Sequence, residues 1–406
     1  MITALEIENF KCFRNLRLEL AQLTLLTGFN SGGKSSAVQP LLLLSQSVRA
    51  RLFTSSCPLN GPIIKLGTVG DILPTDASVS SLVFKLEDSS LITTWNATAR
   101  AVDRQLELQE STWPVDLAED IAEDIAEDID EDIDEAVTPA EEIDAETSIE
   151  AEFSLEYQKY EYNTTELLMG LSYLSATRTG PEDAYPAPDW FREGDVDVGA
   201  DGRYASYWYS KYADNEVPAA RMYPGETSTS FRKQFDSWFS SLFPNAQANV
   251  QHYPNLSLYS LQFRISEFGS WRKPTNVGYG FSYVFPILVS LLAASDQQVV
   301  VIDSPEAHLH PYAQSQMGKI IAHFAAAGVQ LIVETHSDHL LNGLRLAIKE
   351  SILAPENLRI HFFTGAGESG HGVQTLNVDM DGRVSNWPAG FFDQAEKDMN
   401  LLAGWG

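Results

Sequence analysis

Gly28-Phe29-Asn30-Ser31-Gly32-Gly33-Lys34-Ser35 is the stretch that decides the fold. It satisfies the pattern G-x-x-x-x-G-K-[ST] at every fixed position. Its flanks agree with it. Leu23 to Thr27 is a short apolar strand running into Gly28, and after Lys34 apolar residues recur at helical spacing through Val38, Leu41 and Leu42 to Val48. In a strand, glycine loop and helix of this kind the backbone can turn sharply and aim its N–H groups inward. The helix N-terminus adds partial positive charge, and together these make an anion cradle. The pattern suits nucleotide phosphates: Lys34 reaches the β- and γ-phosphates and the Ser35 hydroxyl ligates Mg²⁺. Gly28, Asn30, Gly32 and Gly33 line the loop, and Ser36 starts the helix at its edge.

Such a loop needs an acid near the cation, at the end of a neighbouring strand. Gln298-Val299-Val300-Val301-Ile302-Asp303 supplies one, because the apolar residues read as a buried strand with Asp303 at its carboxyl end. Open parallel sheets bind ligands at that edge. Further on, Leu331-Ile332-Val333-Glu334-Thr335-His336 repeats the arrangement. A histidine at such a tip can donate a hydrogen bond to a γ-phosphate. Gly278, Gly280 and Ser282 open an apolar helix, which is a second anion-binding helix N-terminus. The spacing predicts helices over 281–294, 313–327 and 338–351, alternating with strands over 299–303 and 329–334. Alternation of this kind argues for a parallel sheet covered by helices.

The formal net charge is −29, from 27 basic and 56 acidic residues, but it is local. Residues 116–152 hold 18 acidic and no basic residues, which leaves the other 369 residues at −11. AEDI recurs at Ala118, Ala122 and Ala126, a period of four that drifts off one helical face. A solvated low-complexity insert is expected, with a partner-binding or DNA-mimicking arm as the alternative. Elsewhere Lys and Arg are scattered, which argues against a broad footprint for nucleic acid or an anionic membrane. Cys12 and Cys57 cannot build a disulfide framework, and cytoplasmic residence is the expectation. Met1 to Phe13 lacks the features of a signal peptide, and no apolar run is long enough to span a bilayer.

Three further strings frame these motifs: Ile7-Glu8-Asn9-Phe10-Lys11-Cys12-Phe13 before the loop, Ile302-Asp303-Ser304-Pro305-Glu306-Ala307-His308-Leu309-His310-Pro311, and Glu334-Thr335-His336-Ser337-Asp338-His339. In this order the chain resembles the ABC-type ATPases of the SMC, RecF and overcoming-lysogenization-defect group. Tyr173 to Pro181 and Trp387-Pro388-Ala389-Gly390-Phe391-Phe392-Asp393 resemble strings of a prokaryotic subfamily with a C-terminal domain of unknown function. The resemblance implies an α/β P-loop NTPase of the ABC-ATPase head type. A mostly parallel core sheet flanked by helices is expected, with an antiparallel β-subdomain and a helical insert lobe. The expected parts are 1–110 and 276–358 as the two portions of the head, 116–152 as the acidic insert, 153–275 as a mixed lobe and 359–406 as a subfamily-specific segment.

The resemblance also implies ATP and Mg²⁺ as ligands. Asp303 becomes the Walker B acid and His336 the switch histidine. Gly278, Gly280 and Ser282 take the place of a signature motif that acts on the second subunit of a head-to-head dimer enclosing two ATP molecules. One departure stands out. The residue after the Walker B acid is a catalytic glutamate in the wider group and Ser304 here, and serine is a poor base. Either Glu306 replaces it or hydrolysis is slow. Arg178 is a phosphate-sensing arginine or a structural ion-pair partner. His308 and His310 lack the companion ligands of a zinc site, and Asp379-Met380-Asp381-Gly382 reads as a hairpin turn.

Three functions compete. The first is an ATP-hydrolysing regulatory subunit controlling an effector encoded nearby, in anti-phage defence or DNA-damage response. The second is a nucleotide-gated scaffold with negligible turnover. The third, ranked last on charge, is a RecF-like DNA-binding ATPase.

Overall fold

The computed structural model describes residues 1–50, 56–74, 81–89, 91–98, 100–114, 164–189, 191–192, 194–266, 268–367, 370–388 and 390–404. The acidic stretch and the strand expected over 153–157 lie outside the described residues. Contacts divide the chain into two compact units, one of Met1–Glu19, Leu43–Asn60 and Leu66–Met169, the other of Leu20–Leu42, Gly61–Lys65 and Gly170–Gly406.

The first unit carries a six-stranded antiparallel sheet. Its strands are β1 (Ile2–Phe10) and β2 (Phe13–Glu19), then β4 (Ser56–Pro58), β5 (Ser81–Asp88), β6 (Leu91–Thr98) and β7 (Gln105–Pro114), in spatial order β2-β1-β5-β6-β7-β4. The alternation that marks β2 in the sequence is visible in its burial, with Leu16 and Leu18 inside and Arg17 and Glu19 outside. A half-solvated antiparallel sheet shows this period of two. Phe10 and Phe84 meet edge to face at 5.6 Å on the buried side.

The second unit is built on a mostly parallel sheet. Strands β3 (Leu23–Gly28), β8 (Ser172–Leu174), β12 (Val299–Asp303), β13 (Gln330–Glu334), β14 (Leu358–Gly367) and β15 (Gly370–Leu376) lie in the order β15-β14-β3-β13-β12-β8. Only the β14–β15 pair is antiparallel. Val299 to Ile302 and Gln330 to Val333 are buried throughout, as strands covered on both faces must be. Each such Val, Ile or Leu contributes on the order of 1.5–3 kcal/mol by burial. A three-stranded antiparallel sheet stands apart, with β11 (Leu258–Arg264) between β10 (Gln247–Tyr253) and the two-residue β9 (Tyr185–Pro186).

Among the described residues the helices are α1 (Lys34–Arg49), α2 (Ala205–Tyr212), α3 (Phe231–Leu242), α4 (Tyr279–Ala293), α5 (Pro311–Ala326), α6 (Asp338–Lys349) and α7 (Gln394–Leu402), beside helical residues at 164–170 and five short 3-10 turns. Residues of α3 to α6 share one apolar core with β3, β12, β13 and β14. The strand over 299–303 lies where its apolar run predicts. Helix α5 begins two residues before the expected 313 because Pro311 takes its first position behind His310, whose ring nitrogen accepts the Tyr312 N–H at 3.3 Å. Helix α6 is capped by the Ser337 hydroxyl, which accepts the Leu340 N–H at 3.0 Å. Among the described residues no helix is long and apolar enough to cross a membrane.

Candidate nucleotide site

The sheet order brings the motifs together. Strand β13 lies between β3 and β12, so the loop after β3 and the tips of both other strands open on one edge. In the parallel register Asp303 stands beside Glu334, and Glu334 stands beside Leu26. Gly28 and Gly33 have φ of +134° and +102°, values that favour glycine. A Cβ at Gly28 would also stand 2.2 Å from the Phe363 carbonyl oxygen, so the loop can leave β3 only through a residue without a side chain. Asn30 is exposed at the loop's outer face, Gly32 is buried beneath it, and Ser36 is half-buried in the first turn of α1.

Lys34 is buried, and its ammonium donates to the Gly28 and Phe29 carbonyls at 3.3 and 3.0 Å. Burial pulls its pKa down, while Glu334 and Asp303 pull it up. The Ser35 hydroxyl reaches the Glu334 carboxylate, at 3.0 Å from Oε1 and 2.9 Å from Oε2. Glu334 Oε1 is also 4.0 Å from the Lys34 ammonium. Burial pushes the Glu334 carboxyl up to about 7, helped by neighbouring Asp303. Asp303 Oδ1 accepts the Ser304 hydroxyl at 2.8 Å. Glu306 Oε1 accepts the His336 N–H at 2.9 Å, and Glu306 Oε2 is buried without a hydrogen-bond partner. Burial lowers the His336 pKa.

Glu334 is the residue that sequence reasoning passed over. The signal was available, since both apolar strands end in an acid, but its meaning depends on the strand register and on reach to Ser35. Among the described residues Arg178 makes its hydrogen bonds to backbone carbonyls and forms no side-chain salt bridge. It is buried, and its guanidinium donates to the backbone carbonyls of Asp303 and Ser304, the latter at 3.3 Å. Burial lowers its pKa to about 10. It therefore holds the turn after β12, where Ser304 has φ of +50°.

Gly278 caps α4 and is exposed, as is Tyr279. Gly280 and Ser282 are buried on the inner side of the helix. A Cβ at Gly280 would lie 2.9 Å from the His308 carbonyl oxygen, so this helix start packs on the loop after β12 of its own chain. The Ser282 hydroxyl is buried without a hydrogen-bond partner among the described residues. His308 meets the rings of Tyr279 and Tyr283, and His310 is a helix cap. Asp379 to Arg383 form the expected turn, with the Gly382 N–H donating to the Asp379 carbonyl at 2.9 Å.

A cavity of about 490 Å³ adjoins the loop, lined among others by Gly28, Phe29, His336, Phe362, Gly390 and Lys397. Gly390, with φ of +84°, rests on the Phe29 ring, where a Cβ would come within 2.4 Å of Cζ. Gly390, Phe392 and Asp393 thus form a wall beside the phosphate loop.

The donor set fits a magnesium nucleotide. It offers one hydroxyl, two carboxylates, one ammonium and a glycine-rich loop. Among the described residues no group of three or more His, Cys, Asp or Glu side chains could hold a metal by itself. Mg²⁺ does not require such a group when phosphate oxygens complete its shell.

Residues 23–342 match the family model described as "AAA domain, putative AbiEii toxin, Type IV TA system". Residues 353–402 match "Protein of unknown function (DUF3696)". No curated protein matches the chain. Among solved structures, an SMC head bound to the C-terminal winged-helix domain of ScpA aligns with a TM-score of 0.50 at 10% identity, over 93% of this chain and 98% of that one. The SMC head domain from Thermotoga maritima aligns at 12% identity and a TM-score of 0.41, over 93% of this chain and 99% of that one. The chain belongs to the AAA domain family that carries the AbiEii-toxin description, and its fold is that of an SMC-head-like P-loop ATPase.

Proposed function

We propose that the protein binds ATP with Mg²⁺ on Lys34 and Ser35, hydrolyses it, and acts as the regulatory subunit of a prokaryotic complex. One observation carries the reading: the Ser35 hydroxyl, the Lys34 ammonium and the register-paired Asp303 and Glu334 meet at the carboxyl edge of a parallel sheet. Ligands bind at that edge in open sheets of this type. Gly28, Asn30, Gly32, Gly33 and Ser36 surround the phosphates, His336 addresses the γ-phosphate, and Glu306 positions the attacking water. When bound, Mg²⁺ draws charge from the phosphoryl group. A head-to-head homodimer enclosing two ATP molecules, with exposed Gly278 and Tyr279 turned to the second copy, couples association to nucleotide. The family description names a putative toxin of a type IV toxin–antitoxin system, which is compatible with a role in defence. The test is phosphate release by the purified protein: turnover that Lys34→Ala abolishes supports the reading, and wild-type turnover in that variant overturns it.

A second reading is favoured by Ser304. Its hydroxyl donates to Asp303, and a neutral serine hydroxyl is too weak a base to take a proton from water. In this reading ATP locks the dimer and turnover is negligible. Tight ATP binding and dimerisation without phosphate release would select it.

A further inference from the structure

Resting on the nucleotide-site reading, we infer that Glu334 is a positioning residue of the divalent-cation seat. With Ser35 and Asp303 it makes the chain's own share of a Mg²⁺ site that nucleotide phosphates complete.

The geometry runs from the hydroxyl outward. Ser35 is the residue whose oxygen meets the cation in a loop of this pattern. That hydroxyl lies 2.9 and 3.0 Å from the two Glu334 oxygens, so a cation on Ser35 is within reach of this carboxylate. The Glu334 backbone is fixed, because it sits at the end of a strand paired on both sides. Its backbone carbonyl accepts the Ser304 N–H at 2.8 Å, which ties the tips of β12 and β13 together. Adjacent strands lie about 4.8 Å apart, so register partners present their carboxylates to one small volume.

The other nearby acid, Glu306, accepts the His336 N–H through Oε1, while its Oε2 is buried without a hydrogen-bond partner. Two carboxylates and a hydroxyl address the cation from the protein. Mg²⁺ is held in this way at phosphate-transfer sites, by one or two carboxylates, with substrate phosphates and waters filling the remaining positions.

Charge gives the seat a consequence. Lys34 is the ammonium nearest the loop, and two carboxylates face it. A polyphosphate entering without a divalent cation meets the Asp303 carboxylate, and Glu334 wherever it is ionised, at low exposure where screening is weak. Nucleotide affinity should therefore depend steeply on Mg²⁺, and Glu334 should set much of that dependence.

The experiment is calorimetric titration of the full chain with a non-hydrolysable ATP analogue, once in Mg²⁺ and once in EDTA, with Mn²⁺ electron paramagnetic resonance on the nucleotide-loaded protein as a second readout. Glu334→Gln keeps shape and hydrogen bonding to Ser35 but removes the charge. The expected result is a ratio of Mg²⁺ to EDTA affinity lowered by about 10–100-fold, the range seen when groups that orient metal ligands are removed. Affinity in EDTA stays level or rises, and Mn²⁺ binding weakens. A ratio equal to wild type in Glu334→Gln overturns the inference while leaving nucleotide binding intact. Should that variant not fold, Glu334→Asp carries the same test, since withdrawing the carboxylate by one methylene lowers the ratio, and an unchanged ratio overturns the assignment. A wild type that binds no nucleotide in either buffer overturns the nucleotide reading itself.

Discussion

The Glu306 carboxylate accepts the backbone N–H of His336 at 2.9 Å, tying the loop after β12 to the loop after β13. A glutamine can accept the same N–H, so Glu306→Gln separates charge from geometry. If Glu306 positions or activates water, this variant should bind ATP within about threefold of wild type and release phosphate about 10²-fold more slowly. Phosphate release at the wild-type rate would remove Glu306 from the chemistry and leave it as a loop tether.

Arg178 predicts a stability effect. Its guanidinium satisfies the carbonyls of Asp303 and Ser304 in a buried setting, next to the carboxylates of Asp303 and Glu306. Arg178→Met keeps the stem but strands two buried carbonyls and removes the compensating charge. A loss of about 2–4 kcal/mol is expected, visible as a lower midpoint in urea. Loss of ATP binding without loss of stability would mean that Arg178 touches the nucleotide instead.

Gly390→Ala should fail for steric reasons. The new Cβ would come within 2.4 Å of the Phe29 ring, at a φ of +84° that alanine rarely adopts. The backbone penalty alone is on the order of 1 kcal/mol. The ring must also move, and Phe29 belongs to the phosphate loop. Weaker ATP binding together with a lower melting temperature is expected, whereas Lys34→Ala should weaken binding with little change in melting. Thermal shift with and without nucleotide distinguishes the two patterns.

Asp236 predicts a pH dependence away from the site. It lies partly buried on α3, accepts the Ala248 N–H at 3.2 Å, and burial pushes its carboxyl from 3.8 up to about 6. The folded state therefore holds this proton more tightly than the unfolded chain. The contribution is most favourable below about pH 4 and is lost as pH rises through about 6. Asp236→Asn can still accept the N–H and removes the burial cost of the charge. Its stability gain over wild type should be on the order of 1–3 kcal/mol at pH 7.5 and shrink towards zero at pH 4. Equal gains at both pH values would show that burial does not perturb this acid.

Much of the fold is legible because its signals are local. The octet from Gly28 to Ser35, the apolar run of β12 and the Leu16–Leu18 alternation each name an element without help from distant residues. The site is less legible because its meaning is tertiary. Glu334 ends a strand as Asp303 does, yet only the β12–β13 register and the reach from α1 make it a neighbour of Ser35. Arg178 invites an ionic reading, whereas its partners are carbonyl oxygens, which leave no trace in side-chain identity. Ser282 fits a glycine-and-serine helix start, yet its hydroxyl is buried within its own chain. Strand β9, of two residues, carries too little pattern to read at all.

Strand β14 belongs to the segment that matches a separate family model, yet it pairs in parallel with β3 from Leu358↔Leu23 to Phe363↔Gly28. The tail is therefore wired into the nucleotide cradle by six successive backbone pairings and by Gly390 against Phe29. A cleavage, fusion or binding event near Trp387 would be felt at the phosphate loop as a change in the stiffness of its wall. On the proposed reading, a partner that grips this segment would alter nucleotide affinity without touching the nucleotide.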